Sequence, residues 1–128
     1  MPISDYRELI VWQKAMELTV GIFELTKKLP KEEVYVLSNQ MRRAVVSIPS
    51  NIAEGHERNS PREYMRFLSI AGGSKAELET QLRICIKVGH LNDGDIMESM
   101  NLLNEIGKML TVLIRRLKEQ RGKSPPIP

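Results

Sequence analysis

Basic side chains are the clearest chemical signal in this sequence of 128 residues. Arg58, Arg62 and Arg66 run from a predicted turn into a helix, and the last two share a helix face because they are four residues apart. A second basic group lies near the C-terminal end: Arg115, Arg116, Lys118 and Arg121. Clustered cations suit the phosphates of RNA or DNA. The alternative for the C-terminal group is a solvated face that complements the helix dipole.

Carboxylates within apolar stretches are a second candidate, because paired acids can do acid–base chemistry when their pKa values differ. Glu54, Glu77 and Glu79 have this placement. Counting along antiparallel helices puts Arg42 and Arg43 about one turn from Glu77 and Glu79, which favours ion pairs over catalysis. We therefore predict a structural polar network of these five residues and no enzyme.

Other reactive residues lack the required arrangement. His56 and His90 fall in predicted turns, and neither has the Glu-x-x-His spacing of a metal site in a helical bundle. The stretch Gly72–Lys75 has neither the preceding strand nor the spacing of a phosphate-binding loop. Cys85, the single cysteine, falls on an apolar helix stripe, which favours a core position. We predict no metal and no cofactor.

Composition is that of one globular domain. Charged residues make up 27%, hydrophobic residues 41% and aromatic residues only 5%, so aliphatic side chains must form the core. The net charge of +3 is compatible with a polyanionic partner. One cysteine excludes an intramolecular disulfide, and no stretch approaches the roughly 20 apolar residues that span a bilayer. We expect a cytoplasmic protein without membrane contact, with one domain at 1–121 and a flexible tail at 122–128.

Apolar residues at steps of three and four predict four long helices. The first covers 11–29, the second ends at Gly55, the third runs from Pro61 to Gly89, and the fourth follows Asn92. The connections between them are short, so neighbouring helices must be antiparallel. The sequence therefore predicts an all-α fold, an antiparallel up-down-up-down four-helix bundle.

Proline and glycine interrupt these helices. Pro49 is predicted to kink the second helix, since the apolar pattern continues beyond it; two short helices are the alternative. Gly72 and Gly73 predict a close approach to the third helix, because each glycine costs up to about 1 kcal/mol inside a helix. Counting along antiparallel helices puts Arg42 level with this pair, and Gly107 level with Lys75.

The first helix also carries a second apolar stripe beside its core stripe. Its four residues make the apolar face wider than one neighbouring helix requires, and they are Trp12, Met16, Val20 and Phe23. This stripe predicts an oligomer or partner interface; additional core is the alternative.

The segment 40–55 resembles the signature of a bacterial family of four-helix-bundle proteins named after intervening sequences in 23S ribosomal RNA genes. It reads Gln-Met-Arg-Arg-Ala-Val-Val-Ser-Ile-Pro-Ser-Asn-Ile-Ala-Glu-Gly. Further matching segments are Val-Trp-Gln-Lys-Ala at 11–15, Pro-Lys-Glu-Glu at 30–33, Glu-Tyr at 63–64, Arg-Phe-Leu at 66–68, Gly-Ser at 73–74 and Ala-Glu-Leu-Glu-Thr-Gln-Leu at 76–82. The resemblance covers about residues 5 to 91. Three residues depart from the pattern: Val36 where glycine is common, Lys75 in an apolar position and His90 where an aromatic is usual.

The resemblance implies a bundle that forms a homo-oligomer, with a pentamer as the expected form. The chain is also similar to accessory proteins of diversity-generating retroelements, which are basic pentameric barrels associated with a reverse transcriptase and nucleic acid. The resulting hypothesis is a non-enzymatic oligomeric accessory protein that contacts RNA or DNA through a basic surface. A nucleic-acid-processing protein is a further expected partner. The alternative is an interaction or oligomerisation module without nucleic-acid binding.

Overall fold

The computed structural model describes residues 5–122, with side chains described as far as Gln120. Its four α-helices are α1 (Ile10–Thr26), α2 (Asn39–His56), α3 (Pro61–Lys87) and α4 (Asp93–Gly122). A short 3-10 helix, Tyr6–Glu8, precedes α1, while a second one, Lys31–Glu33, and a π-helical turn, Val34–Ser38, connect α1 to α2. Residues 5–122 contain no strand, so the predicted all-α fold of four helices is confirmed. Apart from Gly122, the predicted tail at 122–128 lies outside the described residues.

Local sequence signals fix where the helices begin and end. The Ser60 side chain accepts a hydrogen bond from the Glu63 backbone N–H at 3.2 Å, which caps α3. At α4, the Asn92 backbone N–H donates to Asp95 and the Asp95 N–H donates to the Asn92 side chain, both at 2.9 Å. Gly89, with φ of +83°, ends α3 in the left-handed region that favours glycine.

The buried aliphatic side chains of all four helices form one core. Each helix packs against its neighbours in sequence, and α1 also packs against α4. Met41 of α2 lies 3.9 Å from Cys85 of α3, whereas Ser47, further along α2, bonds Ser74, earlier in α3. Contacts in this reversed order require α2 and α3 to run antiparallel. The most deeply buried large side chains include Leu18, Ile22, Met41, Ile48, Ile52, Leu68, Leu78, Leu82, Leu103 and Ile106.

α3 lies directly against the α2 backbone at Gly55. A Cβ atom at this position would lie 2.7 Å from the Cβ of Phe67 and 3.1 Å from Cδ1 of Tyr64. Packed carbon atoms do not approach so closely, so glycine is required for this contact. The prediction that Gly55 ends α2 is wrong, because the helix continues to His56 and Gly55 does not have a positive φ.

Two further polar residues of the segment 40–55 lie on the same side of α2 as Gly55. Ser47, Asn51 and Gly55 recur every four residues and therefore share one side of α2. The Ser74 hydroxyl donates to the Ser47 hydroxyl at 2.7 Å, and Asn51 donates to the Ser47 carbonyl at 2.8 Å. α2 is continuous through Pro49, so the alternative of two short helices is wrong, while the kink stays a prediction.

The interior glycines of α3 do not mark a close contact. A Cβ at Gly72 or Gly73 would meet no atom within 4 Å, so the predicted approach of another element to this pair is wrong within one chain. Gly107 of α4 lies level with Lys75, as predicted: a Cβ at Gly107 would lie 2.5 Å from the Lys75 side chain.

The predicted register of α2 against α3 is displaced. The count places Arg42 level with Gly73 and therefore Met41 level with Ser74, but the residue of α2 that bonds Ser74 is Ser47, about one and two-thirds turns further along. Residues 47 and 74 are level about a point near residue 60, whereas the midpoint between His56 and Pro61 lies near residue 58, so the helix ends explain only part of the displacement. The turn about which the helices are level therefore lies later in the chain than assumed.

Replacing Gly55 by alanine tests the α2–α3 contact. Gly55→Ala should lower the free energy of unfolding by about 1–3 kcal/mol, because the added methyl group must displace Phe67. Gly21→Ala is the matched control, since a Cβ at Gly21 has no atom within 4 Å. That change should raise the free energy of unfolding by about 0.4–1 kcal/mol, because alanine reduces the conformational entropy of the unfolded chain. Urea denaturation of both variants measures the difference, and equal effects would contradict the contact.

Candidate nucleic-acid interface

A groove of about 590 Å³ between the start of α3 and the end of α4 brings three predicted cations together. Arg62 and Arg66 line it from α3 and Lys118 lines it from α4. The rest of the lining is Glu63, Met65, Ser69 and Ile114. α3 and α4 are antiparallel, so the start of one lies beside the end of the other. The two basic groups of the sequence are thus adjacent at these three residues.

Most of the cations in and near this groove have no carboxylate partner among the described residues. Among the described residues, no carboxylate lies within ion-pairing distance of Arg62, Lys118 or the exposed Arg115. Arg66 is the exception, with its Nε 3.4 Å from Oε2 of Glu63. An exposed pair of this kind contributes only about 0–1 kcal/mol, so a phosphate can compete for the guanidinium. The groove therefore presents net positive charge to solvent.

Phe67 positions two of the predicted arginines. Its ring is buried in the contact with Gly55, and the guanidinium carbons of Arg58 and Arg66 each lie 5.1 Å from the ring centroid. Cation–π attraction holds both groups against this buried ring. Arg58 also contacts Glu54 at 3.5 Å, which partly neutralises it. Of these two arginines, only Arg66 lines the groove.

The C-terminal cations do not form one cluster. Arg116 lines a different cleft, of about 440 Å³, between α4 and the start of α1, whose apolar walls include Leu9 and Met109. Arg115 is exposed on α4, and the side chain of Arg121 lies outside the described residues. Adjacent helical residues point in directions about 100° apart, which separates Arg115 from Arg116.

Sequence reasoning missed Lys108. This exposed lysine lies between two grooves: with Lys75 it lines a shallow one beside Gly107 on the α3–α4 side of the bundle, and it also lines the cleft of Arg116. Lys75 pairs with Glu79, whereas Lys108 has no carboxylate partner among the described residues. Its spacing of seven residues from Arg115 could have identified it. We call the surface formed by the following residues the basic face: Arg62, Arg66, Lys108, Arg115 and Lys118.

Arg42 does not join the predicted polar network. Its Nε donates to the Thr26 hydroxyl at 2.9 Å, and its guanidinium carbon lies 4.8 Å from the centroid of the Phe23 ring. Both partners belong to α1, so Arg42 faces α1 and not α3. The half-buried arginine thus joins α1 to α2.

The other members of that network are also separated. Arg43 and Glu77 are exposed and have no ion-pair partner in the described part of the chain. Glu54 contacts Arg58, and Glu79 pairs with Lys75 within α3. No arginine of the network pairs with a glutamate across α2 and α3 among the described residues, although the shifted register brings them to similar heights. Arg42 faces α1, and Arg43 and Glu77 are exposed to solvent.

The predicted oligomer stripe divides into a covered part and an accessible part. Trp12 is half-buried and stacks edge-on against Tyr6 at 5.4 Å, while Phe23 lies under Arg42. Met16 and Val20 are 40% and 64% exposed. On the neighbouring face of α2, Val46 is 43% exposed. These three accessible residues define what we call the α1–α2 apolar face.

The described residues offer little catalytic chemistry. No group of three or more potential metal ligands occurs among them. Burial, followed by the charge of Glu33, raises the pKa of the Cys85 thiol, so the protonated and poorly nucleophilic form is favoured. His90 contacts Glu33 at 3.5 Å across the two turns at the opposite end of the bundle. Within residues 5–122, no helix has the length and apolar character to cross a membrane.

Comparison with known proteins agrees with the resemblance in the segment 40–55. A search of curated proteins found no match. A crystal structure from Bacteroides thetaiotaomicron, described as a protein of unknown function from the S23 ribosomal protein family, is similar to this chain with 29% identity and a TM-score of 0.76. The match covers 82% of this chain and 98% of that one. The relation to retroelement accessory proteins stays a prediction.

The family model of the 23S rRNA-intervening sequence protein matches residues 7–112, which include α1, α2, α3 and most of α4. The matched region contains the contact between Gly55 and Phe67 as well as Arg62, Arg66 and Lys108 of the basic face. The chain therefore belongs to the 23S rRNA-intervening sequence protein family.

Proposed function

We propose that this chain is a non-enzymatic, oligomeric accessory protein of the cytoplasm that binds RNA or DNA through the basic face. The observation that carries the proposal is the convergence of Arg62 and Lys118, which have no carboxylate partner among the described residues, on one groove with Arg66. Phosphates would replace the water and counterions around these cations. Affinity should then fall steeply as the salt concentration rises.

The residues of the basic face have different roles in this proposal. Arg66 is held against Phe67, so it loses less freedom on binding a phosphate than an unsupported side chain would. Arg62 and Lys118 are exposed and supply mobile charge on either side of the groove. Arg115 and Lys108 extend the positive surface along α4. The family's description names 23S rRNA, which makes fragments of that RNA the first ligands to test.

Two further parts of the proposal have their own support. A non-enzymatic role is supported by the catalytic candidates, since Glu54 and Glu79 are each paired with a cation and Cys85 is buried. The cytoplasm is supported by cysteine usage, because the single thiol lies in the core and cannot form an intramolecular disulfide.

Charge reversal tests the basic face. The double variant Arg62→Glu/Arg66→Glu should bind ribosomal RNA fragments about tenfold or more weakly at low salt, with a log–log salt dependence flatter by about 1 to 2. Arg43→Glu/Arg83→Glu is the matched control, because both arginines are exposed and have no ion-pair partner in the described part of the chain. Fluorescence anisotropy measures binding and circular dichroism checks folding. Equal losses in both variants, or no wild-type binding at low salt, would contradict the proposal.

A second candidate function is self-association or partner binding through the α1–α2 apolar face. The supporting observation is that Met16, Val20 and Val46 leave apolar surface exposed beside the groove that Trp12 and Pro49 line. A homo-oligomer, with a pentamer as the expected form, would cover it. A nucleic-acid-processing protein is the alternative occupant.

A charged residue at the centre of this face should prevent self-association. The wild-type chain should scatter light as a multiple of its 14.6 kDa mass, about fivefold for a pentamer, and Val20→Glu should shift it toward the monomer. Val88→Glu is the control, since Val88 is similarly exposed, at 56%, but lies at the end of α3. Val20 is preferred to the half-buried Trp12, whose replacement would also damage the fold. A monomeric wild type would contradict this function.

A further inference from the structure

The basic face has no aromatic side chain on which a base could stack. The chain contains six aromatic residues: Tyr6, Trp12, Phe23, Tyr35, Tyr64 and Phe67. The first three lie on the α1–α2 side and Tyr35 lies in the π-helical turn at the opposite end. Tyr64 and Phe67 face Gly55 of α2, and Phe67 is only 7% exposed. Proteins that bind single strands use aromatic platforms for successive bases, and this face lacks one.

The shape of the basic face also limits what it can read. α3 and α4 lie side by side, and both line the groove. Two adjacent helices are about 20 Å wide because each has a diameter of about 10–12 Å. The major groove of B-DNA is only about 12 Å wide, so the pair cannot enter it. Contacts by the two helices together are therefore confined to the backbone of B-DNA, and the deep, narrow major groove of A-form RNA excludes them as well.

The cations are spread widely enough to contact both strands of such a helix. Arg62 and Arg66 are separated by about 6 Å along α3, and Lys108 and Lys118 by about 15 Å along α4. The larger separation exceeds the width of about 12 Å of a major groove. Phosphates on either side of one groove can thus be neutralised together. Glu63 is the carboxylate that lines the groove, and it contacts Arg66.

From these three observations we infer that the basic face binds the phosphate backbone of a double-stranded nucleic acid without reading its bases. This inference rests on the proposed function and specifies its ligand. A double helix offers two rows of phosphates at fixed spacing, and cations from two adjacent helices can contact both rows. A single strand offers one flexible row, and its bases would find no platform here.

The experiment compares four probes on the full-length chain by fluorescence anisotropy: a duplex RNA and a duplex DNA of about 20 base pairs, and one single strand from each. Both duplexes should bind at least about fivefold more tightly than their single strands at the same salt concentration, with a steeper salt dependence. Equal binding of the two duplexes, or preference for one of them, supports the inference and identifies the backbone recognised. Equal or tighter binding of the single strands overturns the inference but leaves the proposed function intact. No binding of any probe at low salt overturns both.

A substitution in the groove tests the inference by a gain of affinity for single strands. Ser69→Trp places an aromatic ring in the groove at an exposed position, and it should tighten single-strand binding about tenfold by stacking while changing duplex binding little. Thr80→Trp is the control, since Thr80 is an exposed small polar residue of α3 outside the groove. No gain by Ser69→Trp, or the same gain by the control, would overturn the inference.

Discussion

The contact between Gly55 and Phe67 is the constraint on which the fold and the candidate interface both depend. The missing side chain at Gly55 lets α3 lie directly on the α2 backbone, and Phe67 fills the space beside it. The same ring supports the guanidinium groups of Arg58 and Arg66 on its outer side. A change in helix packing at this point would therefore move a cation of the basic face. Ser47 and Ser74 continue the contact along the two helices by a direct hydrogen bond.

Local signals in the sequence predict the helices well, whereas they do not predict how the helices align. Ser60 and Asn92 cap α3 and α4 as expected, because a cap depends on residues only three positions apart. Register depends on where the turn after α2 reverses the chain, and composition does not specify that point. Gly55 illustrates the difficulty, since glycine near a helix end fits a terminating residue and a packing residue equally. Its φ and its neighbours in α3 decide for packing.

The alignment of the helices also determines which site residues could be predicted from the sequence. Arg62 and Arg66 could be paired from sequence because their spacing of four residues places them on one face. Arg42 could not be assigned, since its partner Thr26 lies in another helix and contact with it depends on register. Lys108 has no cation close to it in sequence, and apart from its spacing of seven residues from Arg115 only the packing of α3 against α4 shows that it continues the basic face.

Chemical footprinting of lysines tests the central claim, that nucleic acid lies on the basic face. The chain would be acetylated with and without a saturating nucleic-acid duplex, and the extent of modification read by mass spectrometry. Lys108 and Lys118 should be protected by the duplex, while Lys31 and Lys87, exposed near the opposite end of the bundle, should react as before. Unchanged reactivity of Lys108 and Lys118, or protection of Lys31 and Lys87 instead, would contradict the account.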